Sequence, residues 1–191
     1  MNRFLIVSLL VVSLALVSCA KTPAVTVSQP AEADSVAELS FTFTRQSGLA
    51  NNQFAVWVED NQGRHVKTLY ATRFTANGGW RRRNMSLPQW VRQSGLANMS
   101  QTQTDAFSSA TPGTGALTYR WDGTDSQNST LPSGDYVIFL EGNHRWENRV
   151  IYRAPIRLGQ GAMAAQVINE YIGDDERGRA MISSVAVRTM R

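Results

Sequence analysis

Phe54-Ala55-Val56-Trp57-Val58-Glu59-Asp60-Asn61-Gln62-Gly63, continuing through Arg64 to Ala71, carries the plainest structural pattern in the chain. Phe54, Val56 and Val58 alternate with Ala55, Trp57 and Glu59. A half-buried strand imposes that period of two, because successive side chains point to opposite faces. Asp60-Asn61-Gln62-Gly63 interrupts the pattern with turn formers, and Val66, Thr68 and Tyr70 resume it as one face of a second strand, so the spacing predicts a β-hairpin. Upstream, Leu39, Phe41 and Phe43 alternate with Ser40, Thr42 and Thr44. Downstream, strands are predicted over Ala116–Trp121, Asp135–Glu141, Arg149–Leu158, Ala162–Ile172 and Ala180–Arg188. Two short stretches read as helical. The clearer is Leu87–Gln93, where Ser86 is placed to cap and Pro88 suits a first turn. Many short strands, frequent turns and scant helix predict an all-β fold, an antiparallel immunoglobulin-like β-sandwich with one or two short helices.

The rest of the chain frames this domain. At 191 residues with 42% hydrophobic side chains, the prior is one domain with a sizeable core. Met1-Asn2-Arg3 is a short positive region, and Phe4–Val17 is an apolar run suited to a signal peptide but short for a bilayer span. It ends in Leu16-Val17-Ser18-Cys19-Ala20, which resembles a bacterial lipobox, with Cys19 as the acylated mature N-terminus. That reading also accounts for the single cysteine, since a lone thiol exported to an oxidising compartment would be open to unwanted pairing. Ala20 after the cysteine implies, by the same resemblance, an outer-membrane anchor facing the periplasm. Ala20–Ser35 lacks aromatic residues, holds Pro23 and Pro30, and reads as a tether that could reach about 50 Å when extended. The expected organisation is a signal peptide over 1–18, the lipidated cysteine and tether over 19–35, and the sandwich over 36–191.

Trp121-Asp122-Gly123-Thr124-Asp125 and Leu131-Pro132-Ser133-Gly134-Asp135-Tyr136 resemble the strand, turn, strand unit of the immunoglobulin-like domain in flagellar hook-capping proteins. Trp121 would anchor the core, and Tyr136, Ile138 and Leu140 would return inward after the turn. A wider resemblance rests on Ser40-Phe41-Thr42-Phe43-Thr44, Asn52 to Asp60, Lys67-Thr68-Leu69-Tyr70-Ala71-Thr72 and Gly78-Gly79-Trp80. In order and spacing these are similar to the predicted periplasmic proteins of domain of unknown function family 2271. The resemblance implies an exported sandwich that accompanies PepSY-type membrane proteins and flavin transferases, and so a membrane redox or flavin-related setting.

Charge gives the first candidate site. Of 19 basic side chains only Lys21 and Lys67 are lysine, and the net charge is +4. Between Asn61 and Thr104 lie Arg64, Lys67, Arg73, Arg81, Arg82, Arg83 and Arg92 and no acidic residue. Arg81-Arg82-Arg83, after Gly78-Gly79-Trp80, would display guanidinium groups suited to phosphate or carboxylate beside an aromatic face, an anion-binding loop. The alternative is that these arginines are merely solvated, or pair with Asp122, Asp125 or Glu141 across the sandwich. Nucleic acid is not expected as a partner, because loss of Arg3 with the signal leaves 18 basic against 15 acidic side chains in an exported, anchored chain.

Asp105-Ala106-Phe107-Ser108-Ser109-Ala110-Thr111 gives the second. It resembles the Asp-x-x-Ser-Gly-Ala-Thr motif at which flavin transferases attach FMN to the final threonine, which would make Thr111 the acceptor and Asp105 its acidic companion. The stretch departs from the motif at Ser109, where the pattern has glycine, and Pro112 follows directly; a plain Ser/Thr loop is the other reading. The remaining chemistry is thin. His65 falls in a strand, His144 in an expected loop, and Asp174-Asp175-Glu176 lacks the spacing of a calcium loop. No nucleophile elbow or HExxH is present, so catalysis is not expected and no metal site is assigned. The expected function is a lipid-anchored periplasmic binding or accessory module with no required cofactor, the alternative being an electron carrier with FMN at Thr111. Arg45-Gln46-Ser47-Gly48-Leu49-Ala50-Asn51 recurs as Arg92 to Asn98, and Ser-Gly is expected to turn the chain in both copies.

Overall fold

A computed structural model describes residues 36–49 and 51–190. The signal peptide, Cys19 and the tether lie outside the described residues. Among the described residues ten strands form two sheets: β1 (Ala37–Phe43), β2 (Gln53–Asp60), β3 (His65–Thr72), β4 (Ser108–Ser109), β5 (Gly115–Trp121), β6 (Gly134–Arg145), β7 (Asn148–Leu158), β8 (Met163–Ala164), β9 (Ile168–Ile172) and β10 (Ile182–Thr189). The first sheet runs β5-β1-β10-β8 and the second β4-β3-β2-β6-β7-β9. All pairings are antiparallel except that of β4 with β3. The all-β sandwich read from the period of two is the fold of the protein.

Between the sheets lies a core rich in aromatic rings. Phe54 meets Phe41 edge-on at 5.4 Å and stacks on Tyr70 at 5.0 Å, while Tyr70 and Tyr119 lie 4.8 Å apart. Trp121 is fully buried, meets Tyr136 at 5.1 Å and donates Nε1–H to the Thr124 carbonyl, as its anchoring role requires. Each such ring taken from water contributes roughly 1.5–3 kcal/mol, so this layer dominates the stability of the sandwich.

A second, smaller core sits on the far side of the second sheet. Three short helices, α1 (Arg73–Ala76), α2 (Pro88–Gln93) and α3 (Gln101–Asp105), run across that face with 3-10 turns between them. Ala76, Leu87, Trp90 and Leu96 pack there against Ala55, Trp57 and Ala71. This changes the reading of β2. Every residue from Gln53 to Glu59 is buried, so the strand is covered on both faces rather than half-buried.

Three other local expectations are corrected. Val66, Thr68 and Tyr70 do not share one face: pairing with β2 skips a residue between Tyr70 and Thr68, and Thr68 Oγ1 accepts Trp90 Nε1–H from the helical side while Tyr70 faces the main core. Ala162–Ile172 is two strands, because β8 pairs with β10 in one sheet and β9 with β7 in the other. Ser86 does not cap α2. Its hydroxyl is bonded to Thr75 Oγ1 at 2.7 Å, and the cap comes from Glu141 on β6. The repeated heptapeptide does turn the chain twice, with Gly48 and Gly95 both in the left-handed region at φ 75° and 66°.

Candidate functional site

The arginine turn is built by what precedes it. β3 ends at the fully buried Thr72, and α1 carries the chain out over the sheet. Gly78 takes φ 90°, and Gly79 lies directly beneath Phe74: a Cβ there would stand 2.2 Å from the Phe74 carbonyl oxygen. The two glycines therefore reverse the chain, Gly78 by its left-handed backbone and Gly79 where a side chain would not fit; Trp80 packs against the helical core and Arg81 to Arg83 turn outward. Arg82 and Arg83 donate their N–H groups to the Gly79 carbonyl at 3.0 Å each, and Ser86 N–H closes on the Arg83 carbonyl at 2.8 Å.

All three guanidinium groups are exposed. Arg81 stacks over Trp80 at 5.0 Å and Arg83 over Phe74 at 4.9 Å, so the rings hold two of the cations in place. Arg83 also donates to Asn51 Oδ1. Among the described residues no carboxylate lies within ion-pair distance of Arg81, Arg82 or Arg83. The acids offered as partners by the sequence are engaged elsewhere. Asp122 meets Lys67 at 3.2 Å, Asp125 accepts the N–H groups of Gln127 and Ser129, and Glu141 faces Arg149 at 3.8 Å.

Thr111 belongs to the same end of the molecule. Gln53, buried at the start of β2, donates Nε2–H to the Asn51 carbonyl at 3.0 Å and to Thr111 Oγ1 at 3.4 Å, while Tyr70 O–H holds the neighbouring Ala110 carbonyl at 2.9 Å. Arg83, Asn51, Gln53 and Thr111 thus form one hydrogen-bonded run. The stretch leading to Thr111 is more ordered than a plain Ser/Thr loop. Phe107 packs edge-on against Trp90 at 5.9 Å, and β4 pairs with Ala71 and Thr72. Ser109 sits in that strand without positive φ, so the position does not demand the glycine of the motif. Asp105 is exposed at the end of α3, where its carboxylate accepts Gln101 Nε2–H at 2.8 Å.

The histidines stand apart from this run. His65 Nε2 meets Thr68 Oγ1 at 2.9 Å, and burial pushes its ring down to about 4, leaving it neutral at pH 7. His144 is in strand β6 rather than in a loop; it is buried, with Nε2 3.5 Å from Asp175 Oδ2. Among the described residues no group of three His, Cys, Asp or Glu side chains could hold a metal ion.

The sequence offered Glu141 only as an arginine partner and gave Glu59 no role, and the burial of both beside the helices was not foreseen. Glu141 and Glu59 lie on the face of the second sheet that the helices cover. Glu141 accepts Trp90 N–H at 2.8 Å and Gln89 N–H at 3.4 Å, and Glu59 accepts Trp57 Nε1–H at 2.7 Å. The one sequence signal for this covered face is the apolar pair Ala55 and Trp57 at positions that a half-buried strand would leave polar.

A family model described as Predicted periplasmic protein (DUF2271) matches residues 36–174. No curated protein and no solved structure matches the chain.

Proposed function

This chain belongs to the DUF2271 family of predicted periplasmic proteins, and from that premise we propose that it is a lipid-anchored binding or accessory module of a membrane redox or flavin-related system. The observation that carries the reading is the exposed Arg81-Arg82-Arg83 turn, held by ring stacking and left without carboxylate partners among the described residues. Exposed charges contribute little to stability, so a fixed cluster of like charge is better explained by an anionic partner than by folding. A phosphate or carboxylate group bridging two guanidiniums would gain charge-assisted hydrogen bonds that water supplies less well. The turn also lies away from where the tether enters. Val36 pairs with Trp121 at one end of the sandwich, while Asn51, Gln53 and Arg83 gather at the other, where β2 begins beside Asn143. A chain anchored through Cys19 would then point its arginines outward from the anchor, toward a partner. Cross-linking in native membranes, with the wild type compared to a triple alanine variant of the turn, tests the reading: loss of the cross-linked product in the variant supports it, and an unchanged product opposes it.

A second reading is favoured by the run from Arg83 to Thr111. Thr111 Oγ1 would accept FMN through a phosphoester, with the arginine turn docking the phosphate or ring edge and Asp105 as the acidic companion of the motif. Its test is covalent colour that depends on Thr111.

A further inference from the structure

Trp146 is the most exposed of the five tryptophans, at 65%, and it stands where a bulky residue is costly. Arg145 pairs with Asn148, so β6 and β7 are joined by a two-residue loop, Trp146-Glu147. Trp146 takes φ 51°, in the left-handed region that hairpin loops normally give to glycine or asparagine. The strand pair is closed by a residue that neither suits the turn nor buries its ring. A strained residue at a loop tip points to use on the surface and not to folding.

The tip is fastened to the arginine turn. Asn143, fully buried on β6, donates Nδ2–H to the Trp146 carbonyl at 2.8 Å and accepts Asn51 Nδ2–H on its Oδ1, while Asn51 Oδ1 accepts Arg83. Two more apolar side chains are exposed at this end: Leu49, at 80%, on the loop between β1 and β2, and Phe74 against Arg83. The Arg145 guanidinium lies 5.8 Å from the Trp146 ring, so a cation flanks the tip as cations flank Trp80 and Phe74 at the turn. Of the nearby acids, Glu147 shares the hairpin loop and is exposed. Asp174, Asp175 and Glu176 follow β9, at the edge of the second sheet farthest from β3, where Asp175 meets His144 at 3.5 Å and Glu176 meets Arg179 at 3.8 Å.

We propose that this end of the sandwich docks on an anionic lipid surface, with the Trp146 ring seated at headgroup level and the arginines of the turn on the lipid phosphates. The inference rests on the reading of the arginine turn given above and names its partner. Guanidiniums left without carboxylate partners complement a layer of phosphates. Tryptophan has an apolar body and a single N–H donor, and it settles where hydrocarbon meets water. Trp146 and Leu49 stand on separate loops and not in a cleft, so each can sink between headgroups without a matching pocket. An acidic protein would have to supply such a pocket to desolvate the Trp146 ring.

Tryptophan emission of the full chain tests the docking, with vesicles of brominated phosphatidylcholine prepared with and without phosphatidylglycerol. Bromine quenches a ring that enters the bilayer. Trp57, Trp90 and Trp121 are fully buried, so any quenching belongs to Trp146 or Trp80. Emission should fall and shift to the blue with phosphatidylglycerol, stay unchanged without it, and recover at about 1 M salt, where the screening length is about 3 Å. No quenching, or equal quenching without phosphatidylglycerol, overturns the proposal, and both results are read on the wild type alone. Trp146→Asn, which suits a left-handed turn, should abolish the quenching. Quenching that persists there comes from Trp80 and also overturns the proposal. Replacing Arg81, Arg82 and Arg83 by alanine should remove most of the quenching; Trp146 quenching that survives defeats the arginine reading and leaves the tip on the membrane. An arginine-dependent cross-link to an acidic protein, without quenching, leaves the anionic partner and defeats the lipid surface.

Discussion

The guanidinium of Arg83 lies 4.9 Å from the ring centroid of Phe74, and the same ring closes over Gly79, where a Cβ would stand 2.6 Å from Phe74 Cε1. The placement of the cation therefore depends on the absence of a side chain four residues earlier. Gly79→Ala should cost about 1–3 kcal/mol in urea unfolding, because the Phe74 backbone must shift as well as its ring. It should also weaken binding to anionic vesicles. Gly113→Ala, at a site with nothing within 4 Å, is the control and should change stability by less than about 0.5 kcal/mol.

The buried acid Glu141 makes global stability depend on pH in an unusual direction. Its folded-state pKa is raised above the unfolded value, so the folded protein holds more protons between 4.5 and about 7. The associated stability is present at the acid side of that window and lost as pH rises through it. Urea unfolding of the wild type should show lower stability at pH 8 than at pH 5, by at most on the order of 3 kcal/mol. Glu141→Gln should flatten that slope. A wild type that gains stability over the same range would show that Glu141 is not the controlling group.

Much of the sandwich was legible because the period of two is a local signal. β1, the hairpin of β2 and β3, and the unit from Trp121 to Tyr136 could each be read from a short local stretch, and in β1 the buried face is the one the alternation marks. What could not be read is long-range. Ser86 looked like a cap by position, but its hydroxyl is taken by Thr75, and the acceptor α2 uses is 51 residues away. The split between β8 and β9 falls at Ala165-Gln166-Val167, which has no turn residue to announce a change of sheet. Of the covering layer, α2 was marked by Pro88 in its first turn, whereas α1 and α3, of four and five residues, carry too few turns for a 3.6 period to emerge, and nothing local said that these helices would lie on the second sheet. At the site, the exposure of Arg81 to Arg83 followed from the glycines, whereas the link from Arg83 through Asn51 and Gln53 to Thr111 joins three separate stretches and has no sequence signature.

Anchoring is tested at Cys19, outside the described residues. Acyl chains contribute about 0.8 kcal/mol per buried CH₂, so a multiply acylated cysteine should hold the domain at the membrane. Fractionation should find the wild type in the membrane and Cys19→Ala released or unprocessed. A wild type that is soluble in the periplasm contradicts the anchor.

Covalent flavin has a visible readout. Co-expression with a periplasmic flavin transferase should give a yellow protein whose colour survives denaturation, disappears in Thr111→Ala and is reduced in Arg82→Ala. An unmodified mass, beside a control substrate that is labelled, removes the carrier reading.

Replacing Arg81, Arg82 and Arg83 together by alanine tests the central claim most directly, with unfolding and binding measured on the same preparation. Loss of the two exposed cation–π contacts should cost no more than about 1–2 kcal/mol. Binding to vesicles containing phosphatidylglycerol should fall sharply, and the salt dependence seen with the wild type should largely vanish. A large loss of stability with vesicle binding intact would contradict the account, since it would make the arginine turn a part of the fold and not a surface for an anionic partner.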